Sequence, residues 1–265
     1  MNNFFNKQKN NDFFNGKQQQ ADFFETKQVN GVYETRGEGM SLSKFFGRIY
    51  ALVAMGIGLS AIISMMSLYL FPENVRALIF NPSIMIMMCI AELILVMVLS
   101  AKSLKDAPSS LPLFFVFSAL NGITLSVTLA LFTPGVVTLA FFITAGMFFV
   151  MSWYGTHTKR DLTGLGKACM AGLIGIFLTS IISMFFAMFA PNFINGMTIL
   201  ISLASILIFS CLIAYENNRI ADYYRHLNGN IPQGIVVQVG LQLYLDFLNL
   251  FISILRILGL FSSRD

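Results

Sequence analysis

Three carboxylates stand in stretches apolar enough to lie in lipid: Asp246 in VGLQLYLDFLNLFISILR, Glu216 at the end of SILIFSCLIAYE, and Glu92 inside IMIMMCIAELILVMVLS. An ionised carboxylate at membrane depth costs at least about 2.5 kcal/mol even on the lenient insertion scale. Such residues mark an ion path, a proton relay or a charge partner. Asp246 also sits on a line of polar residues: Gln238, Gln242, Asp246, Asn249, Ser253 and Arg256. Their spacing of four, four, three, four and three draws one stripe down one helix face at 3.6 residues per turn. A helix surrounded by lipid could not carry it, which places this helix at the centre of a bundle. For Gln242, Asn249 and Ser253, hydrogen bonds between helices, worth about 0.6–2 kcal/mol each, account for the stripe equally well.

The other two acids differ in their surroundings. Glu216 opens Glu-Asn-Asn-Arg, so Arg219 lies one turn on and an ion pair between them is the structural alternative to a functional role. Glu92 has no basic residue at helical spacing, and a protonated acid bonded to a polar group such as Asn121 on the third apolar segment is the structural alternative to a functional role. Cys89, Cys169 and Cys211 fall inside apolar segments without metal-ligand spacing and read as small buried apolar side chains.

What positions these groups follows from composition. With 56% hydrophobic and 11% charged residues over 265, the chain belongs among polytopic membrane proteins. Seven segments approach the roughly 20 apolar residues that a span needs: Phe46–Phe71, Ile84–Ala101, Leu111–Phe132, Val136–Tyr154, Ala168–Ala190, Met197–Ile220 and Ile235–Leu258. Thr133-Pro134-Gly135 and Ala190-Pro191-Asn192 punctuate two of the boundaries, and Gly56, Gly58 and Ser60 permit close helix approach. None of the runs alternates with a period of two, so a barrel is excluded.

Basic residues collect in alternate connections. Lys44 and Arg48 stand at the entry of the first span, Lys102 and Lys105 follow the second, Lys159, Arg160 and Lys167 follow the fourth, and Arg219 and Arg225 stand at the end of the sixth and in the loop after it. The positive-inside rule then puts the N-terminus in the cytoplasm and the C-terminus outside, which requires an odd number of spans. The net charge of +4 is scattered among loops rather than gathered on one face, so nucleic acid is not an expected partner. The domain division is a disordered polar tail over 1–44 and a seven-helix transmembrane domain over 45–265. The tail lacks the apolar core of a cleavable signal peptide. It repeats a Phe pair beside a Lys, in FFNKQ, DFFNGKQ and DFFETKQ, which suits a multivalent partner motif or an anionic membrane surface.

Tyr215-Glu216-Asn217-Asn218-Arg219-Ile220, followed by LYLDFLNLFISILRILGLF, resembles the C-terminal signature of the Bax inhibitor-1 family. AELILVMVL, LNGITLS and GTHTKRDLTGLGKA agree with it, and the short ending after Gly259 is similar to bacterial members. The resemblance covers Phe45 to the C-terminus. It implies a seven-helix bundle around a central last helix, in a bacterial plasma membrane, and a pH-sensitive calcium leak. It further implies that two carboxylates on the last two helices share a proton. The second falls on Asp246, and the first on Glu216, where the family usually has Asp. A family arginine that latches onto the pair has only Lys102 as its counterpart, and Lys lacks the bidentate fork of Arg.

Two carboxylates in contact at low dielectric cannot both ionise cheaply, so they titrate as a unit and can bias two helix packings. Calcium, which takes several hard oxygen ligands, would compete for the same oxygens. On this reading Glu216 and Asp246 are pH sensor and calcium waypoint, supported by Glu92, Lys102, Asn121, Arg219, Gln242 and Asn249. The partners are lipid, protons and calcium, and no cofactor is expected. Two alternatives use the same features: a modulator of another membrane protein, such as a quality-control protease, and a cation- or proton-coupled transporter. Enzyme chemistry is not expected, because Gly-x-Gly-Asp and His-Glu-x-x-His are absent and both His157 and His226 fall in loops.

Overall fold

The computed structural model describes residues 41–158, 160–186, 191–227 and 231–262, with side chains except at 76, 78–80, 82, 180–186, 191–196 and 226. Regular structure among these residues is helical throughout: α1 Leu42–Leu70, α2 Pro72–Phe80, α3 Pro82–Leu104, α4 Ser110–Leu129, α5 Pro134–His157, α6 Thr163–Phe186, α7 Pro191–His226 and α8 Gln233–Ser262. The Phe-pair tail lies outside the described residues. Proline opens α2, α3, α5 and α7, a position where its missing N–H costs nothing and its fixed φ is already helical. Ser41 caps α1 by accepting the Lys44 N–H at 3.4 Å.

Six helices among the described residues, α1, α3, α4, α5, α7 and α8, are long and apolar enough to cross a membrane. The fifth expected segment, Ala168–Ala190, lies on α6, whose stretch Thr163–Thr179 is apolar but short, and 187–190 are outside the described residues. The sequence reading also missed α2, which fills the connection between the first two segments, and it cut α7 short at both ends.

The last helix is central, but most of its polar stripe lies on its least buried face, with Gln238, Gln242 and Asn249 half-buried and Arg256 exposed. α8 touches α1, α3, α4, α5 and α7. Tyr244 presents its ring to Phe114 and Phe117 at centroid distances of 5.5 and 6.1 Å, and Phe247 does so to Phe141 and Phe148 at 6.0 and 5.6 Å. Each edge-on pair stabilises by about 0.5–1.5 kcal/mol. Apolar burial does not drive helices together inside lipid, so such packing and the hydrogen bonds between helices hold the bundle. The outer faces are apolar where a soluble protein would be polar: Met87, Ile94, Phe142, Phe149 and Leu207 are all exposed.

Helix directions follow from paired contacts. Gly56 meets the Phe114 ring and the Ser60 hydroxyl donates to the Ser118 carbonyl at 2.7 Å, so α1 and α4 are parallel. Leu52 meets Gly240 and Ser60 meets Tyr244, so α8 is parallel to both. A cleft lined by Tyr50–Ile57 against Ala145–His157 continues into one lined by Ile57–Met65 against Val137–Phe142, which makes α5 antiparallel to α1. Gly166 meets Tyr215 and Gly172 meets Ile208, so α6 and α7 are antiparallel. One end of the bundle therefore gathers the starts of α1, α4, α6 and α8 and the ends of α3, α5 and α7. Lys44, Arg48, Lys102, Lys105, Arg160, Lys167, Arg219 and Arg225 all belong to that end.

Candidate functional site: a buried carboxylate couple

Asp246 lies thirteen residues into α8, about 20 Å along the helix at 1.5 Å per residue. It is 8% exposed, and Glu216 on α7 is 6% exposed. The two carboxylates are near enough to repel each other electrostatically. Glu216 Oε1 forms an ion pair with Arg219 Nη1 at 3.8 Å, too long for a hydrogen bond, and the guanidinium also lies over the Tyr223 ring, 5.0 Å from its centroid. Glu216 Oε2 is buried without a hydrogen-bond partner. A buried carboxylate oxygen left unpaired is costly, so this couple is a polar site that packing alone does not explain.

The next residue holds α7 in place. Asn217 is fully buried; it accepts a hydrogen bond from the Tyr50 hydroxyl and donates to Ser152 Oγ at 3.1 Å and to the Ile213 carbonyl at 2.7 Å. Asn218 donates to the Gly155 and Thr158 carbonyls at 3.3 and 3.4 Å. Gly155 is required there, since a Cβ would stand 2.2 Å from the Ala214 carbonyl oxygen. One buried amide thus ties α1, α5 and α7 together beside Glu216. Tyr50 and Ser152 also line the lateral cleft between α1 and α5, about 510 Å³, together with Thr156, His157 and mostly apolar side chains.

Other expected residues are placed differently. Glu92 does not reach Asn121: it accepts a 2.5 Å hydrogen bond from the Thr124 hydroxyl, one turn further along α4, while Asn121 bonds the Phe117 carbonyl of its own helix. Glu92 interacts electrostatically with Tyr244, on a different face of α8 from Asp246. Lys102 is exposed and forms no ion pair among the described residues, so the arginine-like latch is absent from this arrangement. Asn249 and Ser253 bond carbonyls of α8 itself, Leu245 at 2.8 Å and Asn249 at 2.7 Å, rather than a neighbouring helix. Gln242 is half-buried, and Gln238 is half-buried with its Oε1 unpartnered. Cys89 is exposed and Cys211 half-buried, so of the three cysteines only Cys169 is the buried apolar filler that was expected.

Sequence reasoning missed Tyr50, Asn217, Thr124 and Tyr244. Asn217 had a signal, an amide adjoining an acid inside an apolar run. Tyr50 and Thr124 had none, because their partners lie on other helices. Among the described residues no group of three or more His, Cys, Asp and Glu is arranged to hold a metal ion. A divalent cation at the couple would need water or carbonyl oxygens to complete its shell.

Residues 42–263 match the family described as Inhibitor of apoptosis-promoting Bax1. An uncharacterised membrane protein of Streptococcus pyogenes serotype M1 is 45% identical over 221 residues, covering 83% of this chain and 94% of the relative. The protein YrjE of Lactococcus lactis is 36% identical over 232 residues, 87% of this chain and 96% of its own length. The inner membrane protein YbhL of Escherichia coli K12 is 33% identical over 227 residues, 82% and 92% of the two chains.

Proposed function

The chain belongs to the Bax inhibitor-1 family, and from that membership we propose that it is a pH-sensitive calcium leak of a bacterial membrane. Glu216 and Asp246 are its proton sensor and the narrow point of its cation path. The observation that carries this reading is the burial of both carboxylates together, one on each of the last two helices, with one oxygen left unpaired.

The bundle crosses the membrane seven times. α6 has 24 residues, about 36 Å, enough to span. It leaves from the end where α5 stops, and α7 returns antiparallel to it. The basic end faces the cytoplasm, as the positive-inside rule demands, so the N-terminus is inside and the C-terminus outside.

In the closed packing the couple holds one proton between its two acids, and the repulsion that full ionisation would bring is avoided. Loss of that proton leaves two negative charges facing each other across the α7–α8 contact. Separation of the helices, or a divalent cation between the oxygens, relieves them. Tyr50, Asn217 and Ser152 keep α7 fixed on its other side, so movement is directed at the α8 side. No step here makes or breaks a covalent bond other than to the proton.

The test is calcium flux into liposomes carrying the full chain, recorded across pH together with internal pH. Asp246→Asn and Glu216→Gln should each abolish the pH response. Flux that keeps its pH response in Asp246→Asn removes the sensor from this couple. A fixed ratio of protons to calcium would instead identify a coupled transporter.

A further inference from the structure

Two of the three cysteines face each other. Gly166 on α6 packs on the Tyr215 ring of α7, and Gly172 packs on the Ile208 side chain. Cys169 lies midway between those glycines, and Cys211 lies between Ile208 and Tyr215 on the opposing helix. The antiparallel register therefore brings the two side chains together, near enough to interact electrostatically. Small residues one turn to either side let the helix backbones approach closely, as a disulfide requires. Cys169 is 6% exposed and also interacts electrostatically with Asp246, whereas Cys211 is half-buried and can be reached from outside the pair. Both thiols are free.

We propose that Cys169 and Cys211 form a reversible thiol–disulfide site, closed by hydrogen peroxide and reopened by a dithiol, that staples α6 to α7 beside the carboxylate couple. In the first step the Cys211 sulfur attacks one peroxide oxygen. An S–O bond forms, the O–O bond breaks, and the departing hydroxide takes the thiol proton as water. In the second, the Cys169 sulfur attacks the Cys211 sulfenic acid. The S–S bond forms, the S–O bond breaks, and hydroxide leaves with the Cys169 proton as a second water. The two thiols together lose two electrons, which reduce the peroxide.

α6 packs principally on α7 among the described residues, so a covalent link there would fix an outer helix that otherwise depends on one neighbour. The site stands whether or not the couple gates ions, because its readout is covalent. Cys89, exposed on α3, supplies an internal control.

The full chain in liposomes is treated with hydrogen peroxide and its remaining thiols are alkylated and weighed. One alkylated thiol, a mass lower by two hydrogens before alkylation, a peptide joining the segments around 169 and 211, and full reversal by dithiothreitol are expected. Cys211→Ser should keep two alkylatable thiols under the same treatment, Cys169→Ser should stop at a sulfenic acid on Cys211 with no cross-link, and Cys89→Ser should still lose both of its own. The proposal is overturned if all three thiols still alkylate in the wild type, if the wild-type chain gains oxygen without a cross-link, or if the disulfide recruits Cys89.

Discussion

Asp106, in the loop after α3, accepts a 2.6 Å hydrogen bond from the backbone N–H of Gly234, the second residue of α8. The first N–H groups of a helix have no partner within it, and a carboxylate placed there also suits the positive end of the helix dipole. The helix that carries Asp246 is thus capped from another part of the chain. Asp106 adopts φ 50°, in the left-handed region that Asp tolerates better than most residues. Gly234 has no room for a side chain, since a Cβ would stand 2.0 Å from the Ser103 carbonyl oxygen.

Loss of the cap in Asp106→Ala should cost about 1 kcal/mol, a fall of roughly 2–4 °C in Tm for a domain of this size. Gly234→Ala should cost more, because backbone must move away from backbone. Thermal unfolding of the detergent-solubilised variants measures both. A Gly234→Ala protein as stable as the wild type would mean that α8 does not dock on the α3–α4 loop.

A second expectation concerns acid stability at the start of α6. Asp161 Oδ1 accepts the Thr163 N–H at 2.8 Å. The Thr163 hydroxyl first, then that N–H, and to a lesser degree the Lys167 charge, hold the Asp161 carboxyl below its ordinary value of 3.8. A carboxylate whose pKa is depressed by folding contributes stability above its unfolded pKa and loses it as pH falls through the folded one. Asp161 is fully exposed, so the effect is small. The Tm difference between wild type and Asp161→Ala should be constant near neutrality and should shrink from about pH 5 downward. A difference that is flat through that range would show that the carboxylate charge contributes nothing at this helix start.

Six of the seven expected spans match helices long and apolar enough to cross a membrane, and they were legible because lipid imposes long uninterrupted apolar runs, which need no knowledge of their neighbours. The central place of α8 was expected from the repeat of Gln238 to Arg256 at helical spacing, but the structure buries the other faces of the helix and leaves Gln238, Gln242 and Asn249 half-buried and Arg256 exposed. What the sequence withholds is rotation and register between helices. Asn121 and Thr124 are three residues apart on the same side of α4, and only the setting of α3 against α4 decides that Thr124 meets Glu92. Asn249 and Ser253 satisfy themselves on their own backbone, a choice that an amide or hydroxyl always has. The facing of Cys169 and Cys211, and the reach of Asp106 to Gly234, depend on pairs far apart in the chain. α2 was the avoidable miss, since Pro72 followed by Glu73 is an ordinary helix start.

The couple itself offers the sharpest expectation. If Glu216 and Asp246 titrate as one unit, neither half can sense protons alone, and removal of either removes the whole response. Glu216→Gln, Asp246→Asn and the double variant should therefore show the same loss of pH dependence in liposome calcium flux, a strongly non-additive cycle. Two independent acids would behave differently, with each single variant keeping part of the response and the double losing the sum. Glu216→Asp keeps a carboxylate one methylene further from Asp246, so it should retain a pH response with a displaced midpoint. Arg219, at 3.8 Å and drawn toward Tyr223, cannot stand in for the missing acid. Partial, additive losses across the cycle would separate the two residues into unrelated sites, however close they lie.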